Sequence, residues 1–166
     1  MEMPEVSRQS NPQAPPIPEM IGATTAPFNL NKGMSHVTLA MHAPTGPAFQ
    51  RADRTPIRVF LKFENITASV RAPAFDIYLN LPDDAPEKHP ELQAGALPMF
   101  GLVEASRSSE RHPDNGLSYT QDVTNLFIRL ATTPSWDPTK LRVTFVPRPW
   151  NDTIQVQVGR VSLVIG

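Results

Sequence analysis

VRAPAFDIYLN, residues Val70 to Asn80, runs from a proline into an alternating apolar segment and stops at Asn80-Leu81-Pro82. Successive side chains of a strand point to opposite faces, so Phe75, Ile77 and Leu79 share one face and Asp76, Tyr78 and Asn80 the other. The same period of two recurs upstream in IRVFLKFENI (Ile57 to Ile66). There Ile57, Val59, Leu61 and Phe63 oppose Arg58, Lys62 and Glu64. MSHVTLAM (Met34 to Met41) alternates more loosely. LQAGALPMFGLVEAS (Leu92 to Ser106) carries glycine and proline punctuation and is expected to contain a bent strand. Two further strands are expected, LRVTFVP (Leu141 to Pro147) and TIQVQVGRVSLVIG (Thr153 to Gly166), the second broken at Gly159.

One segment changes period. Val123, Leu126, Phe127 and Leu130 fall at i, i+3, i+4 and i+7. With Thr120 as cap, Asp122 in the first turn and Arg129 near the end, they predict a short amphipathic helix. Six to eight short strands with turn signals between them and a single helix predict an all-β fold. Its expected form is an antiparallel, jelly-roll-like sandwich or barrel.

The 166 residues suit one domain with a genuine core, and 40% apolar against 19% charged residues argue for a globular chain. Residues 1–22, with prolines among Gln, Ser and Asn, read as a flexible leader or linker. Residues 23–166 read as the domain. The formal net charge of −1 offers no basic excess for nucleic acid or a membrane surface. No apolar run approaches the roughly 20 residues that span a bilayer, and the N-terminus lacks the apolar centre of a secretory signal, so a soluble chain is expected. Without cysteine, disulfides, thiolate metal sites and cysteine nucleophiles are excluded.

Little else announces chemistry. His36, His42, His89 and His112 could be metal ligands only if the fold made them converge, and surface positions are the ordinary expectation. There is no G-x-S-x-G, no S-x-x-K and no phosphate-cradling glycine loop. Asp83-Asp84 lies between Pro82 and Pro86 and reads as a turn. Asn65-Ile-Thr67 and Asn151-Asp-Thr153 match the glycosylation acceptor pattern, a weak signal. Arg148, in VPRPW, is expected to hydrogen-bond loop carbonyls or a carboxylate. Trp136 and Trp150 are expected to cover strand ends.

The order of the segments carries more than any one of them. FDIYLN resembles the Phe-Asp-Val-Tyr-(Ile/Val)-Asn motif in the C-terminal domain of plant-type polyphenol oxidases, the type 3 copper tyrosinases and catechol oxidases. FNLNKGMSHVTLAM resembles the entry into that domain and VFLKFENITAS its I-x-G-I-x-F strand. VTNLFIRLAT resembles its leucine-rich helix, LRVTFVPRP its V-x-V-T-L-V-P-R strand, and IQVQVGRVSL its closing strand. The match covers residues 26 to 165 and places Phe75, Asp76, Tyr78, Asn80, Pro147 and Arg148 at motif positions. Ala74 replaces the family's lysine before Phe-Asp, Gly159 stands alone where the family has paired glycines, and RSSERHPDNG has no counterpart.

The resemblance implies a β-sandwich that covers the entrance to a dicopper centre and confers latency, with help in folding or copper loading as a further role. The implied partner is a dicopper oxidase catalytic domain, on the same polypeptide or encoded nearby. A type 3 site needs six histidines on a helical bundle. This chain has four histidines and one expected helix, so no catalytic residue, metal or cofactor is expected in it, and copper belongs to the partner alone. The implied plug, an apolar side chain entering the copper pocket, points to LPMFGL, which offers Phe100 first and then Met99 and Leu102. Phe49 is a further candidate, and for each the ordinary alternative is a place in the core. Competing readings are a carbohydrate- or protein-binding β-sandwich unrelated to oxidases, and a small β-sandwich enzyme or metal protein using the histidines.

Overall fold

The computed structural model describes residues 18–43, 57–107 and 116–166. The leader up to residue 17, Phe49, His112 and most of RSSERHPDNG lie outside the described residues. Strands β1 (Glu19–Ala23), β2 (Phe28–Leu30), β3 (Ser35–Met41), β4 (Val59–Thr67), β5 (Phe75–Leu79) and β6 (Gln93–Leu97) come first. They are followed by helix α1 (Leu102–Ser106), β7 (Leu117–Asp122), helix α2 (Thr124–Ala131), β8 (Lys140–Pro147) and β9 (Val156–Ile165). Among the described residues all nine strands join one antiparallel sheet in the order β6-β5-β8-β3-β1-β9-β4-β7, with β2 also on β9. The sheet curls until its two edges approach. Gln121 Nε2 of β7 donates to the Ala96 carbonyl of β6 at 2.7 Å. The expected antiparallel, barrel-like β fold is therefore present.

The opening stretch forms β5, between β6 and β8. Phe75, Ile77 and Leu79 are fully buried, as their alternation predicts, each burial being worth about 1.5–3 kcal/mol. Across the interior, Phe145 of β8 meets Phe63 of β4 edge-on at 5.8 Å and Phe28 of β2 at 5.5 Å, joining opposite walls.

The other face of β5 is covered as well. Tyr78 is buried and its register partner Thr144 is wholly inaccessible. The segment after Asn80, with its short 3-10 turns at Pro86–Lys88 and Pro90–Leu92, folds back toward this face. It is tied to β3 by Asp84 Oδ1, 3.2 Å from His36 Nε2. Burial raises the Tyr78 phenol above its ordinary pKa, with Asp76 and Glu87 adding to the effect.

β4 and β9 break period two at the same place. The buried positions run Val59, Leu61, Phe63 and then Ile66 in β4, and Val156, Val158 and then Val161, Leu163, Ile165 in β9. The register holds through the break, with Glu64 opposite Arg160 and Ile66 opposite Val158. Asn65 adopts φ 55°, which lets the chain skip one residue on the pleat. A Cβ on the facing Gly159 would lie 2.7 Å from Asn65 Cβ. Gly159 thus kinks β9 without breaking it, correcting the expected interruption.

Other boundaries move too. β1 begins at Glu19 and pairs with β3 and β9, so residues 19–22 belong to the sheet, not to the leader. Leu92–Ser106 contains the expected strand, β6, whose register with β5 shifts between Ile77 and Tyr78, and the chain then turns at Pro98–Gly101 into α1, a second helix. Thr120 lies within β7 opposite Lys62 and cannot cap α2. Asp122 serves from just outside the helix, its Oδ1 accepting from Thr124 N at 3.0 Å. The apolar face of α2 is as read, with Val123, Leu126 and Leu130 buried and Phe127 against Trp136 at 5.4 Å.

Gly159→Ala should destabilise the fold by about 1–3 kcal/mol, the cost of forcing a methyl into a filled site. The check is a lower urea midpoint at unchanged m-value.

Candidate functional site

β5 and β8 carry the motif positions. Asn80 ends β5 at φ 50°, turning its own carbonyl aside. Its backbone N–H still donates to the Arg142 carbonyl at 2.8 Å, while Oδ1 accepts from Arg142 N at 2.9 Å. The side chain thus supplies the ladder acceptor that the backbone gives up. Asp76 Oδ1 accepts from Arg148 Nε at 3.3 Å and Nη2 at 3.1 Å, and Gln93 Nε2 lies 3.3 Å away. Arg148 N also donates to the Ala74 carbonyl, and Pro147 pairs with the buried Phe75. These positions hold the two ends of the β5–β8 pair together, Asn80 at one and Asp76 with Arg148 at the other.

The next turn along is different. Phe100 is 94% exposed, whereas Met99 and Leu102 on either side are buried at 7% and 1%. The two buried side chains anchor the turn and leave the phenyl ring outside it. Gly101 at φ 76° takes the left-handed conformation needed to enter α1. α1 is pinned in turn, because Ser106 Oγ donates to the Leu102 carbonyl at 2.6 Å and accepts from Ala68 N at 2.8 Å. Of the three candidates at LPMFGL, Phe100 alone projects; Met99 and Leu102 belong to the core.

A depression of about 720 Å³ flanks the ring, lined by Arg71, Ala72, Pro73, Pro98, Glu104 and Trp150 among others. A neighbouring one of about 580 Å³ includes Ser69, Val70, Arg71, Trp150 and Asp152. A third of about 840 Å³ is lined by Asn29, Asn31, Arg107, Gln155 and Gln157. Val103 borders all three, so they adjoin one another around α1 and are together called the trough below. Val70, 45% exposed, stands on the same trough.

The histidines stay apart. His36 Nδ1 lies 2.8 Å from Thr144 Oγ1, and its Nε2 faces Asp84. Carboxylate, imidazole and hydroxyl are in the order of a hydrolytic triad, but the hydroxyl is fully buried, so no substrate can reach it. His89 sits between Asp83 and Glu91, and His42 Nδ1 lies 3.0 Å from the Ala43 carbonyl. Among the described residues no group of three or more His, Asp or Glu side chains is placed to hold a metal ion. Asp83 instead accepts from Ala85 N at 3.1 Å, making the expected turn. No described helix is long and apolar enough to cross a membrane. Trp136 packs on α2 and Trp150 is half-buried, so among the described residues neither tryptophan is an exposed ring.

Residues 17–165 match the profile of a family described as a domain of unknown function, DUF7868. The chain belongs to the DUF7868 family. It is 28% identical over 152 residues to the tyrosinase HcTyr1 of Hahella sp. (strain CCB-MM4), covering 89% of this chain. The chain spans 32% of that relative's length. Among solved structures, the latent apple tyrosinase MdPPO1 superposes with a TM-score of 0.53 at 17% identity, covering 84% of this chain and 27% of the other. A recombinantly expressed latent aurone synthase, a polyphenol oxidase, gives 0.52 at 16%, covering 86% and 26%. The DUF7868 domain therefore shares its fold with part of two plant enzymes and its ancestry with part of a tyrosinase, as the ordered motifs led one to expect. The exposure of Phe100 was not legible. Alternation and punctuation marked a turn there, and only the burial of Met99 and Leu102 showed which side chain leaves it.

Two measurements follow. Asp76→Ala or Arg148→Ala should cost under about 1 kcal/mol in thermal or urea unfolding, because the pair is partly exposed. Hydrogen bonds from the Thr124 hydroxyl and N–H, then the Arg58 guanidinium, hold the Asp122 carboxyl below the ordinary aspartate pKa. A lowered folded-state pKa gives stability that is present above the unfolded value and lost as pH falls through the folded one. Melting temperature should therefore drop on acidification below about pH 4, the ordinary aspartate range, and drop less for Asp122→Asn.

Proposed function

We propose that this domain is the shielding part of a tyrosinase-like dicopper oxidase, with Phe100 as the side chain that fills the entrance to the copper pocket. The observation that carries this reading is the ring's 94% exposure on a turn held at both ends by buried side chains. A single exposed ring is ordinary on a protein surface; what supports the reading is that this one is held out between two buried anchors, beside depressions lined by Val70 and Trp150. Phenylalanine suits the task chemically. Its ring has the shape of a phenol and lacks the oxygen through which a phenol would meet copper, so it competes for the pocket without ligating the metal.

Two further features support the reading. The relative is a tyrosinase of which this chain matches about a third, which leaves room for a catalytic region in that protein. Both plant enzymes of like fold are described as latent. On this reading copper lies in the partner alone, and this chain's residues bind, orient and exclude. Burying one phenyl ring contributes about 1.5–3 kcal/mol. With a tether that raises the local concentration to about the millimolar range, the closed state needs about 4 kcal/mol of intrinsic affinity to reach half occupancy, so the ring supplies part of it and the surface around it the rest.

Glu19 pairs with Ile165 at one end of β9, while Gln155 and Gln157, on the trough, lie at the other. A ten-residue strand spans about 30 Å, so a tether entering at Glu19 needs about nine extended residues to reach a partner seated on Phe100. A tether of this kind is the expected point of proteolytic release.

In the oxidase carrying this domain, Phe100→Ala should raise phenol oxidation about 10- to 100-fold toward the activity of the enzyme without the domain, the factor corresponding to the ring's burial. Latency unchanged in that variant, with the domain still folded by circular dichroism, removes Phe100 from the role.

A further inference from the structure

We infer that the face around Phe100 docks through two arginines as well as through the ring, with Arg71 and Arg107 pairing with carboxylates on the rim of the partner's pocket. This rests on the shielding reading above. Among the described residues the other arginine side chains are engaged. Arg58 meets Asp122, Arg148 meets Asp76 and Arg160 meets Glu64, while Arg129 and Arg142 donate to the carbonyls of Glu91 and Leu81. Arg71 and Arg107 are exposed, and their guanidinium groups have no hydrogen bond or ion pair with described residues. Both line the trough: Arg71 beside Phe100, and Arg107 beyond Val103.

Their free state agrees with exposure and conflicts with docking. A partner that covers Phe100 strips water from the trough, and a guanidinium buried without a partner is strongly unfavourable. The covering surface must therefore bring acceptors, and a carboxylate matches the planar donor fork of arginine best. Glu104 and Asp152 line the same trough, are exposed and take part in no described ion pair. They would repel a uniformly acidic surface or a nucleic-acid backbone, so the fitting partner is a protein rim with carboxylates confined to the positions facing Arg71 and Arg107. Such pairs contribute to orientation and association rate more than to raw affinity, and salt weakens them.

The test titrates the full chain against a probe, the copper-loaded catalytic remainder of the Hahella tyrosinase lacking the region that this chain matches. Binding and phenol oxidation are followed in parallel at low and high salt. Binding is expected to weaken as salt rises. R71E with R107E should weaken low-salt binding about tenfold or more and flatten the salt dependence, and R71Q with R107Q should act in the same direction. K140E, at the other end of the β8 strand from Arg148, should bind as the unaltered chain does. Equal binding by the double variant, an equal loss in K140E, or no binding at low salt overturns the inference. Arginine-dependent binding that leaves phenol oxidation untouched supports this interface and removes the shielding reading. F100A with restored oxidation but an intact salt dependence supports both.

Discussion

The pairing of β4 with β9 is the constraint on which the rest of the barrel depends. β9 uses both edges, taking β4 along one side and β1 and β2 along the other. A flat pair of nine- and ten-residue strands could not keep one face toward a closed interior over its whole length. Asn65 and Gly159 solve this together, one by its left-handed backbone and the other by having no Cβ where the two strands press closest. Both strands skip one position on the pleat at the same level, so Phe63 and Ile66, and likewise Val161 and Val158, all reach the same core. The Glu64–Arg160 pair at 2.8 Å spans the strands beside the kink.

Closure at the other edges is made by side chains. Gln121 reaches across from β7 to the Ala96 carbonyl, and at Gly95 (φ 154°) any Cβ would strike that carboxamide. Asn80 likewise replaces a backbone acceptor with its own amide oxygen where β5 leaves the sheet. An unpaired buried N–H is costly, so a polar side chain that completes the ladder stabilises the end of a strand as well as ending it.

The rigidity of the Phe100 turn derives from this frame. Met99 and Leu102 reach the core that the barrel encloses, and Ser106 ties α1 to the end of β4. The ring is thus aimed by the fold instead of hanging from a loose loop, and a rigid projection loses little conformational entropy when covered. Charge is distributed to match. Ion pairs bind strand to strand along the barrel wall, while the trough beside Phe100 carries arginines and carboxylates that no described neighbour neutralises.

Much of the fold was legible from residues alone, because burial of one strand face imposes a period of two and burial of one helix face a period near 3.6. These signals located β4, β5, β8 and α2. The ordered motifs, as a resemblance, pointed to the family of relatives. Signals failed where the deciding partner is remote in sequence. The short β1 shows no pattern of its own, and only β3 and β9 make it a strand. Thr120 looked like a cap until pairing with Lys62 placed it in β7. Alternation placed Tyr78 on the face opposite Phe75, and only the fold shows that this face is buried there as well. Composition and patterning, which act through local conformation and burial, determined an antiparallel β domain without a motif for chemistry of its own. Which apolar side chain would stand in water, and which arginines would lack partners, was decided by tertiary structure, because exposure and pairing depend on what distant segments leave uncovered.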